Sequence, residues 1–213
     1  HQPLVAPPAP AQPGRVALLV DRPGAVQTTL RFAGAAPDRR DPLHPAASLA
    51  NLVFGGYFSS RWVANIREDK GYTYSPHSSI DHPPAGSRWV AGADVATDVT
   101  APALLETLYE LGRIATVPVS QDELDQARRY AIGTLALGTA TQAGLAGLVS
   151  QLAAAGLGLD YLRDYPTMLG AVTVEDVLAA ASTWLAPASL TPVFVGDRAI
   201  IEDSLRALIP LEA

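Results

Sequence analysis

Few side chains in this 213-residue sequence are placed to do chemistry on their own. Metal ligation needs several donors that converge on one point. The histidines are His1, His44, His77 and His82, and none falls within a helical turn of an acidic residue on a plausible helix. His77 and His82 stand five apart across a strand end, which sends them toward opposite faces, so the histidines read as solvated loop residues and a metal site within the chain is not expected. The absence of cysteine removes disulfides, thiolate zinc sites, iron–sulfur clusters and a thiol nucleophile together. No G-x-S-x-G elbow, Walker loop or dinucleotide fingerprint occurs. The acidic pairs Glu68/Asp69 and Asp122/Glu123 read as solvated helix ends. On these residues the chain holds no self-sufficient catalytic apparatus.

One segment combines unusual features: Asn51-Leu-Val-Phe-Gly-Gly-Tyr-Phe-Ser-Ser-Arg-Trp-Val-Ala-Asn-Ile-Arg-Glu-Asp-Lys-Gly-Tyr-Thr-Tyr-Ser75. A double glycine, Gly55-Gly56, joins two helices, and such pairs usually mark a tight turn at positive φ. The second helix runs to Arg67 at its exposed end, and Tyr74 follows seven residues later. Helices are expected over 46–54 and from the capping candidates Ser59 and Ser60 to Gly71 in the C′ role. Trp62, Val63 and Ile66 form the apolar stripe of the second.

The remaining pattern supplies a scaffold. Strands are expected over 15–20 and 26–33, split by the turn Asp21-Arg22-Pro23-Gly24. A hairpin pairs strands over 72–80 and 87–96. Helices follow: one capped by Asp98 or Thr100, one opened by the Ser120/Glu123 capping box, then 141–155, 161–169 and 174–185. A strand over 190–195 and a helix over 200–208 close the chain. Strands, then helices, then one returning strand is an α+β pattern. Residues 1–14 hold five prolines and almost no charge, which reads as a linker, and 15–213 reads as one domain.

The segment around Arg67 resembles the C-terminal-type domain of the pitrilysin/insulinase zinc metallopeptidases, the inverzincins, whose version runs roughly N-x-x-L-G-G-x-F-S-S-R-L-x-x-x-L-R-E-x-x-G-x-x-Y-S. Thr141-Gln-Ala-Gly-Leu-Ala, the region of Gly156 and Tyr161-Leu162, Ala171-Val-Thr-Val-Glu-Asp-Val177 and Val195-Gly-Asp197 match in order and approximate spacing. The resemblance implies a curved antiparallel sheet backed by helices, forming one half of a two-half peptidase chamber. One half in such enzymes carries H-x-x-E-H, whose histidines bind zinc while the glutamate activates water. Here Ala47, Ala50 and Asn51 stand at those positions and H-x-x-E-H occurs nowhere, so the resemblance is to the zinc-less half.

That resemblance implies a role for Arg67 and Tyr74 in holding substrate backbone near the scissile bond of the opposite half. A guanidinium offers a planar fork of donors to peptide carbonyls, and a phenol can donate to a developing oxyanion. A purely structural role is the alternative: Arg67 as a helix-dipole partner and Tyr74 as a half-buried sheet residue. No cofactor is expected in this chain, with zinc expected in the partner half. The expected partners are an H-x-x-E-H-bearing catalytic half, upstream in the same polypeptide or as a separate subunit, and an unfolded peptide substrate. A homodimer of the isolated chain is a further option. The other function left open is a structural or scaffolding subunit of a larger complex with no proteolysis.

Composition bounds these readings. With 48% hydrophobic and 17% charged residues the chain is globular. A net charge of −6 argues against nucleic-acid binding, which needs a basic face. No apolar run reaches the roughly 18–20 residues of a membrane span. The expected compartment is the cytoplasm, with the cell envelope as alternative.

Overall fold

A computed structural model describes residues 16–212; the proline-rich stretch 1–14, His1 and Arg15 lie outside the described residues. Strands β1 (Leu18–Asp21), β2 (Gln27–Ala35), β3 (His77–Asp81), β4 (Arg88–Ala96) and β5 (Thr191–Gly196) form one five-stranded sheet in the order β1-β5-β2-β4-β3. β1 runs parallel to β5, and every other pairing is antiparallel. Alternation along β2 buries Thr28, Leu30, Phe32 and Gly34 and leaves Thr29, Arg31 and Ala33 on the other face. The register stacks Leu30 between Ala93 and Phe194, and Phe32 between Ala91 and Pro192. One face of the sheet is therefore apolar and the other is open. On the open face Thr29 Oγ1 donates to Asp94 at 2.7 Å, and the Arg31 side chain lies across Gly92, its cross-strand neighbour.

Helices cover the apolar face, which makes the fold α+β. They are α1 (His44–Asn51), α2 (Arg61–Val63), α3 (Thr100–Thr116), α4 (Gln121–Thr139), α5 (Gln142–Ala154), α6 (Leu159–Ala171), α7 (Val174–Trp184) and α8 (Arg198–Arg206). The core joins Phe54 and Trp62 to Trp89 of β4 and to Leu104, Leu111 and Ile114 of α3. Phe54 stacks on Trp62 and meets Trp89 edge-on. Each large side chain buried here contributes about 1.5–3 kcal/mol. The two indole N–H groups are satisfied: Trp62 donates to Thr107 Oγ1 at 3.0 Å and Trp89 to Asn51 Oδ1 at 2.8 Å. The Ser120/Glu123 capping box opens α4 as its spacing predicts. Among the described residues, no single helix is long and apolar enough to cross a membrane.

The segment 51–75 departs from its sequence reading in three ways. α1 widens into a π-helical turn, Leu52–Gly56, that takes in both glycines before the helix ends, and α2 continues as a second, Ala64–Asp69. Neither Gly55 nor Gly56 has positive φ. They are required by close packing instead: a Cβ on Gly55 would lie 2.9 Å from Ser78 Oγ and 3.0 Å from Trp62, and one on Gly56 would lie 2.8 Å from the Asn51 amide. Finally, β3 begins at His77 rather than at residue 72. Pro76 has no N–H with which to extend the ladder, so residues 72–76 form a loop and Tyr74 is not a strand residue.

Candidate functional site

Arg67 is placed by the π-helical turn Ala64–Asp69. Ile66 is buried beneath it, and the Lys70 N–H reaches back five residues to the Asn65 carbonyl at 3.0 Å. Such widened turns are rare and frequently occur at functional sites. Gly71, at φ +65°, then ends the helix in the left-handed conformation its C′ position predicts. The Tyr72 N–H closes the turn onto Ile66, and Thr73 Oγ1 donates to the Asp94 carbonyl of β4 at 2.7 Å. These bonds fix the loop that carries Tyr74.

The structure brings Arg67 and Tyr74 together. The guanidinium carbon lies 4.7 Å from the centre of the Tyr74 ring and 4.4 Å from that of Phe58, while Nε faces the Glu68 carboxylate at 2.9 Å. Each ring contact contributes about 0.5–1 kcal/mol at an exposed site. Tyr74 is 79% exposed, so the half-buried sheet role does not describe it. Two clefts meet at this pair. The larger, about 780 Å³, is bordered by Gln27, Glu68, Thr73 and Asp94 at the open face of the sheet. The smaller, about 260 Å³, runs past Gly55, Gly56 and His77. Arg67 and Tyr74 line both. A fixed cation and a phenol at an open rim can offer several hydrogen-bond donors to an extended backbone. Phe58 was not singled out from the sequence, although it stands in the quoted motif two residues after Gly56.

The positions set against zinc ligands do not fit a metal. Ala47 and Ala50 are fully buried and carry no donor atom. The Asn51 amide is committed to the core, accepting from Trp89 and donating to the Ser78 carbonyl at 3.4 Å. Among the described residues no three or more His, Asp or Glu side chains gather as a metal site.

Two expectations need correction. His44 and His82 are not solvated loop residues. His44 opens α1 at 2% exposure, and its Nε2 lies 3.2 Å from Nε2 of His82. Tyr161 of α6 meets His44 Nδ1 at 3.2 Å, and Ser87 meets His82 Nδ1 at 2.7 Å. Burial, then the facing His82, pushes the His44 pKa down to about 3, and burial lowers that of His82 as well. The pair is separated by 38 residues, so no local pattern announces it. Likewise Glu123 is more than a solvated helix end: its carboxylate takes Arg61 Nε at 2.6 Å and Nη2 at 2.8 Å. That hydrogen bonding holds its pKa down to about 2 against the opposing effect of burial.

The fold is thus an α+β layer with one open sheet face and the Arg67–Tyr74 pair at its rim. Residues 1–130 match the family described as the peptidase M16 inactive domain, and the chain belongs to that family. Among solved structures, the peptidase M16 inactive domain from Pseudomonas fluorescens is 26% identical with a TM-score of 0.77, aligned over 95% of this chain and 47% of that one. A protease from Helicobacter pylori is 18% identical with a TM-score of 0.77, over 86% of this chain and 44% of that one. A chain of complex III2 from Candida albicans is 16% identical with a TM-score of 0.72, over 89% and 46%. This chain thus spans about half the length of these solved chains. No curated protein matches it by sequence.

Proposed function

We propose that this chain is the non-catalytic half of a two-part zinc metallopeptidase, supplying chamber wall and a substrate clamp to a partner half that carries H-x-x-E-H and the zinc. The observation that carries the reading is the contact of Arg67 with Tyr74 at an open rim where two clefts meet. The partner half would activate water and cut the peptide bond. This chain's part is binding: the Arg67 fork donates to peptide carbonyls, the Tyr74 hydroxyl donates to oxygen near the scissile bond, and the open sheet face borders the path of an extended peptide. Membership of the inactive-domain family and the absence of fitting metal ligands at Ala47, Ala50 and Asn51 support this division of labour.

The test is kinetic, on the assembled peptidase with an unfolded peptide substrate. Arg67→Ala and Tyr74→Phe each lower kcat/KM by roughly tenfold or more while the circular dichroism and melting temperature hold. Unchanged kinetics in both variants would return the pair to a structural role and favour the scaffolding reading.

A further inference from the structure

Phe58 is a large apolar side chain left 58% exposed, with its ring against the Arg67 guanidinium instead of the core. Tyr74 occupies the other ring contact at a similar distance. The Glu68 carboxylate engages Nε. An arginine side chain carries several rotatable bonds and about 2 kcal/mol of rotamer entropy, and free at a rim it would spend little time in any one orientation. Two aromatic contacts and one ion pair at Nε confine it and leave the two Nη atoms as the donors available to a substrate.

We propose that Phe58 is a positioning residue for Arg67: together with Tyr74 it fixes the plane of the guanidinium and so the direction in which the Nη edge meets a peptide backbone. The proposal rests on the clamp reading above. It explains why an exposed aromatic stands in the short connection between the first π-helical turn and α2, where a polar residue would otherwise serve. The residue acts through Arg67 and need not touch the substrate.

The experiment uses the intact, assembled protein with ¹⁵N-labelled arginine and follows two readouts. The first is the Arg67 Nε–H resonance, assigned by its loss in Arg67→Ala. Stacking against aromatic rings displaces it from the other arginines, Phe58→Leu moves it back, and Phe58→Tyr keeps it displaced. The second is turnover of an unfolded peptide. Phe58→Leu lowers kcat/KM about two- to fivefold, the range a single exposed cation–π contact supports, and Phe58→Tyr restores it. Placed on Arg67→Ala, Phe58→Leu has no further effect, because its action passes through that side chain. An undisplaced Nε–H, or a Phe58→Leu loss that adds fully to that of Arg67→Ala, overturns the proposal. If the resonance responds to Phe58 but Arg67→Ala leaves turnover unchanged, the clamp reading fails while the positioning of Arg67 stands.

Discussion

Acidification below pH 6.5 should weaken this fold, and His44 is the reason. In the unfolded chain it titrates near 6.5, whereas in the fold burial and the facing His82 hold its pKa down to about 3. The folded state therefore binds fewer protons than the unfolded one below pH 6.5, and stability falls with pH. Each pH unit below 6.5 costs about 1.4 kcal/mol, so at pH 5 His44 alone removes about 2 kcal/mol. That figure depends on the unfolded value only, because the folded pKa lies well below pH 5. His82 acts in the same direction, lowered by burial and by Arg39, with Asp38 and Asp81 opposing. Arg39 also lowers His44 and Asp38 raises it, and the ring is bounded by Tyr161 and Tyr165 of α6. Glu123, whose depressed pKa contributes stability above its ordinary value of 4.5, begins to lose that contribution only below it. Urea unfolding at pH 7, 6 and 5 measures the effect, and the melting temperature should drop by about 4–8 °C between pH 7 and 5. His44→Gln keeps a neutral hydrogen-bonding side chain and removes the titration, so its stability should be flatter across the window. Equal pH slopes in the wild type and His44→Gln would refute the reasoning.

Two further perturbations test the scaffold beneath the site. Glu123→Gln leaves the Arg61 side chain, 8% exposed, without its charge partner, and should destabilise the chain by about 2–3 kcal/mol in denaturant unfolding. Gly55→Ala drives a methyl against Ser78 and Trp62 and should cost about 1–3 kcal/mol, whereas a turn needing only backbone freedom would tolerate alanine at its negative φ.

Much of the scaffold is legible locally. The alternation of Thr28, Leu30 and Phe32 marks β2, Ser120 with Glu123 marks the start of α4, and Gly71 marks the end of the helix bearing Arg67, because each signal acts within a few residues. The stripe Trp62, Val63 and Ile66 is legible for the same reason, and all three are buried. What escapes is whatever long-range packing decides. The His44–His82 pair forms because the hairpin between β3 and β4 comes against the start of α1, and Glu123 becomes an ion-pair partner because the first turn of α4 lies beside Arg61, 62 residues earlier in the chain. The π-helical turns have no sequence signature, yet one of them sets where Arg67 emerges. Of the site, Arg67 and Tyr74 were accessible through the motif that contains them. Phe58 acquires significance only when its ring is found against the guanidinium.

The most direct test of the two-part peptidase account is to isolate the protein from its native source under gentle conditions and identify by mass spectrometry what accompanies this chain. The account predicts an H-x-x-E-H domain, joined in the same polypeptide or present as a stoichiometric partner, with one zinc per pair held by that half. Recovery of the chain alone, or in a stoichiometric complex that lacks the motif, would contradict it and favour a scaffold.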